Sequence, residues 1–247
     1  MMARPRKRLD QLLVERGLAE TRQRARSAIM AGLVRVGGVI VDKPGHMVHP
    51  AASVDLLGPD HPYVSRGGVK LEAALQAFSI AVRGLTILDV GASTGGFTDC
   101  LVQHGAKKVV AVDVGYGQLA WSLRNDPRVV VVERTNIRHL STLEIEEAID
   151  GAVIDTSFIS LRIVVPATLR HLKNKGFLLA LIKPQFEAGK AMVGKGGVVR
   201  DVEVQKKVVA DLVDFFAGLG LEVLGTMESP ITGVKGNREY FAYLRYR

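Results

Sequence analysis

The sequence holds a single cysteine, Cys100, so no disulfide can form within the chain, and the fold must be held by its apolar core as in a reducing cytoplasm. Nowhere do apolar residues run long enough to span a bilayer. The charged stretch Met1–Asp10 is followed by no apolar block of signal-peptide length. Export and membrane insertion are therefore not expected. Other absences narrow the chemistry. The dinucleotide fingerprint needs glycine where Ser93 stands, and the glycine- and lysine-rich stretch Gly189–Gly197 lacks the Gly-Lys-Ser/Thr of a phosphate loop. His46 and His49 have too few partners of ligating type nearby for a metal site, so no metal is expected.

What is present is a chain of 247 residues, 47% hydrophobic and 23% charged, enough for one sizeable α/β domain with a core and something small beside it. Its formal net charge of +8 points to a polyanion such as nucleic acid, or to an acidic membrane surface. Much of that excess lies near the N-terminus, where residues 4–43 carry ten Lys or Arg against four acids.

Leu9, Leu12, Leu13 and Val14 predict a short helix ending near Gly17, and Thr21 is the expected N-cap of a second helix running to Met30. On that helix Arg22, Arg24 and Arg26 gather on one side, while Ala25, Ala28 and Ile29 form the core-facing set. Val34–Val36 and Val39–Val41 flank Gly37-Gly38, a hairpin signal. This order of helix, arginine helix and hairpin resembles the small RNA-binding domain of ribosomal protein S-four. The resemblance implies an α+β RNA-binding domain over residues 1–60, a linker over 61–66, and phosphate contacts from Arg4, Arg6, Lys7, Arg8, Arg22, Arg24 and Arg26, joined by Arg66 beyond the linker. Guanidinium groups on one helix edge suit phosphate oxygens and give affinity with little sequence readout.

The rest of the chain, 67–247, alternates strand and helix. Leu85–Val90 reads as a buried parallel strand that ends in Asp89 and a turn rich in glycine (Gly91, Gly95, Gly96), with a helix to follow. Val109–Val114, Val129–Val132, Ala152–Asp155 and Phe177–Ile182 read as further strands, with helices over Leu119–Arg124, Arg162–Lys173 and Val202–Gly218. Leu221–Met227 and Glu239–Tyr246 read as a final pair. A doubly wound, mostly parallel sheet flanked by helices binds its ligand beyond the carboxyl ends of the strands, where Asp89, Asp113, Asp155 and Lys183 all fall. Asp-x-Gly-x-x-x-Gly-Gly resembles the first motif of class I S-adenosylmethionine (SAM) dependent methyltransferases. It implies a SAM site over Asp89, Gly91, Ser93, Thr94, Gly95 and Gly96. Asp113 stands at the spacing of a ribose-binding acid, and Asn136 is placed to meet the adenine edge. Gly189–Gly197 is either a lid or an RNA-contacting loop.

Lys70 lies in the first turn of a helix, where the dipole gives a cation nothing, so another demand must hold it there. Lys70, Asp155, Lys183 and Glu239, in that order, resemble the catalytic tetrad of RNA ribose 2′-O-methyltransferases. YVSRGGVKL, DTSFISL, LIKPQFEAGK and SPITGVKGNREYF go further and resemble the TlyA family of ribosomal RNA 2′-O-methyltransferases, historically labelled haemolysins. Tyr63 stands where that family can carry tryptophan. The resemblance implies a cytoplasmic, FtsJ-like enzyme that takes its methyl group from SAM and acts on ribosomal RNA or ribosomal subunits. Lys183 would be its base, Asp155 and Lys70 would orient that amine and the hydroxyl, and Glu239 would position the ammonium groups. Two other readings stand beside it: a membrane-active cytolysin, and a non-catalytic RNA-binding protein of the ribosome.

Overall fold

Thr86–Val90, the run before the glycine turn, is buried at every position, as a strand covered on both faces must be. A computed structural model describes residues 6–19, 21–30, 32–57, 61–140, 148–233 and 236–246. The chain divides into two compact units, Met1–Pro62 and Tyr63–Arg247. Tyr63 is buried in the core of the larger unit, and a Cβ on Gly68 would collide with its ring. Residues 63–66, read from sequence as the end of a linker, therefore pack with the unit that follows.

In the smaller unit come β1 (Lys7–Arg8), α1 (Leu9–Glu15), α2 (Arg22–Met30), β2 (Val34–Val36), β3 (Val39–Ile40), β4 (Met47–Val48) and β5 (Val54–Leu56). The Thr21 hydroxyl accepts the Arg24 amide at 3.2 Å, the cap expected of it. Gly37 and Gly38 both have positive φ, which the tight turn joining β2 to β3 requires. Leu9, Leu13, Ala25 and Ile29 close the core between the helices and the antiparallel β3-β2-β5 sheet.

The larger unit runs α3 (Gly67–Ala77), β6 (Thr86–Val90), α4 (Gly96–Gln103), β7 (Lys108–Val112), α5 (Trp121–Arg124), β8 (Val129–Val132), β9 (Ile149–Ile154) and α6 (Leu161–Leu169). It continues through β10 (Leu172–Ile182), α7 (Pro184–Glu187), α8 (Val202–Gly218), β11 (Glu222–Glu228) and β12 (Tyr240–Arg245). The seven strands lie in the order β11-β12-β10-β9-β6-β7-β8. Strands β8, β7, β6, β9 and β10 are parallel, and β12 is inserted antiparallel between β10 and β11. Neighbouring residues of one strand feed opposite cores: Ile87 and Val109 pack with Leu71 and Leu101, whereas Leu88 and Val110 pack with Val164 and Phe216. The helix expected over Arg162–Lys173 ends at Leu169, because β10 starts at Leu172 and pairs with Ile149 before a bulge. The helix expected over Leu119–Arg124 is likewise shorter, because Leu119 is buried ahead of it and packs into the core by the glycine turn.

Candidate active site

The β6–α4 turn brings backbone rather than side chains to the carboxyl end of the sheet. Gly91 has φ +90°, and a Cβ there would lie 2.5 Å from the Asp155 carbonyl oxygen; Gly95 has φ +98° with leucine side chains against it. Asp89 does not reach the resulting cavities. It is fully buried, and its Oδ2 accepts the Thr98 hydroxyl at 2.6 Å, pinning α4 to β6, while Oδ1 has no hydrogen-bond partner among the described residues. Burial pushes this carboxyl up to about 7, opposed by the Thr98 hydroxyl. Asp89, expected among the cofactor-binding residues, thus lines neither cavity and packs behind the turn.

Two cavities meet at this rim. One of about 570 Å3 is lined by Asp113, Gln118, Asn136 and Phe158; the other, of about 290 Å3, by Arg66, Lys70, Thr94 and Lys183. Gly91, Ser93, Asp155 and Ser157 line both. The amides of Ser93 and Gly115 donate to Asp113 Oδ2 and Oδ1 at 2.8 and 2.7 Å. Each oxygen keeps a lone pair, so a fixed carboxylate faces the larger cavity with capacity for a diol. Asn136 also lines that cavity, but its Oδ1 caps a short helical turn, accepting from Arg138 N and Nε at 3.1 Å. Bare glycine backbone beside a fixed acid fits a donor with an amino-acid end and a ribose.

At the smaller cavity the structure brings together all four residues of the sequence-derived tetrad. Lys70 comes from α3, Asp155 from the end of β9, Lys183 from the end of β10 and Glu239 from just before β12. Lys70 Nζ donates to Glu239 Oε2 at 2.6 Å, and Lys183 Nζ lies 2.5 Å from Asp155 Oδ1. Their side chains are only 12%, 3%, 10% and 21% exposed in the order Lys70, Glu239, Lys183, Asp155, so these are not solvated surface pairs. Lys183 Nζ also donates to Ser157 Oγ at 3.0 Å. Sequence reasoning missed Ser157, since a serine two residues past a strand-end acid carries no periodicity or spacing signature.

Further along, buried Asn237 fastens the Gly189–Gly197 loop to the turn that delivers Glu239. Its Oδ1 accepts Val199 N at 3.2 Å and its Nδ2 donates to Gly197 O at 3.0 Å. Gly233 in that turn packs under the Glu239 carboxylate, leaving no room for a Cβ.

The expected RNA-binding side chains divide. Arg66 lines the smaller cavity of the larger unit, while Arg4 lies outside the described residues. Arg6, Arg24 and Arg26 are exposed. Lys7 pairs with Glu15 at 2.6 Å, so its charge is partly offset. Arg8 and Arg22 both hold the fully buried Asp10: Arg8 donates from Nε and Nη2 at 3.0 Å, and Arg22 from Nε at 3.1 Å. The Arg8 hydrogen bonds, reinforced by Arg22 against the effect of burial, hold the Asp10 carboxyl below its ordinary range. A groove of about 460 Å3 on α2 is lined by Arg22, Gln23, Arg26 and Met30.

Comparison with known proteins gives matches to both units. Residues 63–246 match the model of the FtsJ-like methyltransferase family, and residues 7–54 that of the S4 domain. A 16S/23S rRNA (cytidine-2′-O)-methyltransferase TlyA of Mycobacterium tuberculosis is 49% identical over 245 residues, covering 99% of this chain and 91% of that protein. Hemolysin A of Brachyspira hyodysenteriae is 41% identical over 237 residues, 96% of this chain and 98% of that one. A solved structure from Streptococcus thermophilus, provisionally titled a hemolysin, is 44% identical with a TM-score of 0.77, covering 98% of this chain and 89% of the other.

Proposed function

This chain belongs to the TlyA and hemolysin-like family of FtsJ-like methyltransferases, and from that premise we propose that it transfers a methyl group from SAM to a ribose 2′-hydroxyl of ribosomal RNA in the cytoplasm. One observation carries the reading: Lys70, Asp155 and Lys183, remote in sequence, line one cavity with the glycine turn, where Lys183 pairs with Asp155 and Lys70 is held by Glu239. Residues 1–60 dock the RNA through the arginine face, and residues 67–247 carry out the transfer. The relative from Mycobacterium tuberculosis, with its printed activity on 16S and 23S rRNA, supports the substrate class.

Gly91, Ser93, Thr94, Gly95 and Gly96 offer backbone to the amino-acid end of the donor, and Asp113 offers acceptors to its ribose. When bound, SAM supplies an electrophilic methyl group on a positively charged sulfur. A ribose hydroxyl is a weak nucleophile near neutral pH, so the protein must remove its proton and align its oxygen. Lys183 accepts that proton on Nζ. Asp155 holds the resulting ammonium, Lys70 hydrogen-bonds the oxygen, and Glu239 keeps Lys70 in place.

Labelled SAM incubated with the full chain and either ribosomal subunits or naked rRNA tests the reading, with Lys183→Ala as control. Label in ribose that disappears in the variant supports it. Absence of label with wild-type protein on every RNA sink it; haemolysis that survives Lys183→Ala transfers the case to a cytolysin.

A further inference from the structure

We infer that Ser157 is a positioning residue for the proton-accepting amine of Lys183, an inference that rests on the methyl-transfer reading above. Lys183 Nζ has two close polar neighbours among the described residues, Asp155 Oδ1 at 2.5 Å and Ser157 Oγ at 3.0 Å. The two contacts differ in kind. The first is an approach of opposite charges without hydrogen-bond alignment, and Asp155 Oδ1 has no hydrogen-bond partner of its own. The second is a directed hydrogen bond. A point charge attracts an amine without fixing its rotation about Cε–Nζ, whereas an aligned acceptor does fix it. Asp155 therefore holds the nitrogen in place, and Ser157 sets the direction in which it points.

The consequence follows from the valence of a neutral amine, which carries two N–H bonds and one lone pair. With one N–H fixed on Ser157, the second N–H and the lone pair take the other tetrahedral directions, and the Asp155 charge draws the N–H to its own side. The lone pair is the orbital that must meet the substrate hydroxyl. In the transfer, the 2′-O–H bond breaks and a third N–H bond forms on Lys183. The freed oxygen pair forms the O–CH3 bond as the S–CH3 bond breaks, and Ser157 keeps its own proton throughout. Ser157 lines both cavities, so it stands where a hydroxyl in one would face a donor in the other.

The backbone around Ser157 is shaped to hold it there. Phe158, the next residue, has φ +64°, a conformation that costs an L side chain energy and persists only where its surroundings impose it. Its ring is 90% exposed yet lies 5.0 Å from that of Phe186, whose face lies 6.0 Å from Lys183 Nζ. The strained turn and the lysine thus both neighbour the same aromatic ring. Because Ser157 is itself exposed, removing its hydroxyl leaves the core untouched.

Steady-state methylation of rRNA by the full-length protein, followed across pH, tests this with Ser157→Ala and Ser157→Thr. Loss of one orienting hydrogen bond is expected to lower kcat of Ser157→Ala about tenfold. KM for RNA and calorimetric affinity for SAM should stay within about twofold, as expected when ground-state binding is untouched. Ser157→Thr, which keeps the hydroxyl, should recover most of kcat. A Ser157→Ala profile that superimposes on wild type, or equal loss in both variants with a lowered Tm, overturns the assignment while leaving the methyl-transfer reading intact. A wild-type protein that labels no ribose overturns both.

Discussion

Lys70 and Glu239 stand 169 positions apart in the chain, and their charged groups lie 2.6 Å apart. That pairing supplies the demand that holds a lysine in the first turn of α3 against the helix dipole. Both side chains are nearly buried, so deleting one partner leaves the other as an uncompensated charge, at a cost of about 3–5 kcal/mol of stability. Lys70→Gln and Glu239→Gln are each expected to lower kcat for rRNA methylation about 100-fold and to reduce Tm. Kinetics and thermal melts of the single variants and of the pair check this. The double variant should be less destabilised than the sum of the singles, and strict additivity would show that the two groups do not interact.

Two glycines near the site should fail in different ways. Gly233 is not among the positive-φ glycines, but a Cβ there collides with the Glu239 carboxylate. Gly233→Ala should therefore displace Glu239, lowering kcat while SAM affinity changes little. Gly91 combines φ +90° with a Cβ position 2.5 Å from the Asp155 carbonyl, so Gly91→Ala strains the turn by about 1–3 kcal/mol and closes the cavity wall. Its expected signature is weaker SAM binding in calorimetry together with a lower Tm. Equal loss of SAM affinity in both variants contradicts the distinction.

The buried Asp89 gives the larger unit a pH dependence of calculable sign. Its carboxyl is pushed from 3.8 to about 7, chiefly by burial. Below about pH 4 both folded and unfolded chains carry the proton, and the group contributes no difference. Between about pH 4 and 7 the unfolded chain ionises first, so stability falls as pH rises, by at most roughly 4 kcal/mol, and the loss is constant above that window. Asp89→Asn keeps an acceptor for the Thr98 hydroxyl and removes the titration. Urea unfolding should find the variant more stable than wild type near pH 8 and no more stable near pH 4. SAM affinity should be unchanged, since Asp89 lines neither cavity. Parallel stability curves for the two proteins would falsify the buried titration.

The contrast between Asp89 and Asp155 shows where sequence reading stops. Both are acids at strand ends and both were placed at the binding rim, yet one faces Thr98 behind the turn and the other faces the cavity. A strand's one-dimensional pattern locates its end but not which way the last side chain turns. The strands themselves were legible because a sheet covered on both faces must be written in unbroken apolar runs, as Phe177–Ile182 of β10 is. Tetrad membership was legible from resemblance, and the glycine turn from its own spacing. Ser157 was not, because its place is decided by a hydrogen bond to Lys183 that no spacing rule encodes. Within the arginine set, sequence could not tell that Arg8 and Arg22 would share one buried carboxylate.

That shared carboxylate yields a prediction whose sign separates two accounts of RNA affinity. If net charge alone governs binding, Asp10→Asn should tighten it, since one negative charge is removed beside a basic surface. In the structure, Asp10 holds two guanidinium groups, and Arg22, bound to it through Nε and 53% exposed in its side chain, lines the α2 groove. A guanidinium held in place loses less freedom on meeting a phosphate than one that must first be ordered. Asp10→Asn should therefore weaken binding to an rRNA fragment about fivefold and make log Kd less steep against log salt by roughly one phosphate contact. Arg22→Lys, which keeps the charge but lacks the fork, should show much of the same loss. Because the Asp10 carboxyl lies below its ordinary range, its stabilising effect is present above about pH 4 and is lost as pH falls through the lowered value, so binding assays near neutral pH test positioning with the ion pair intact. Tighter binding by Asp10→Asn at every salt concentration would leave charge as the sole determinant and remove the positioning role.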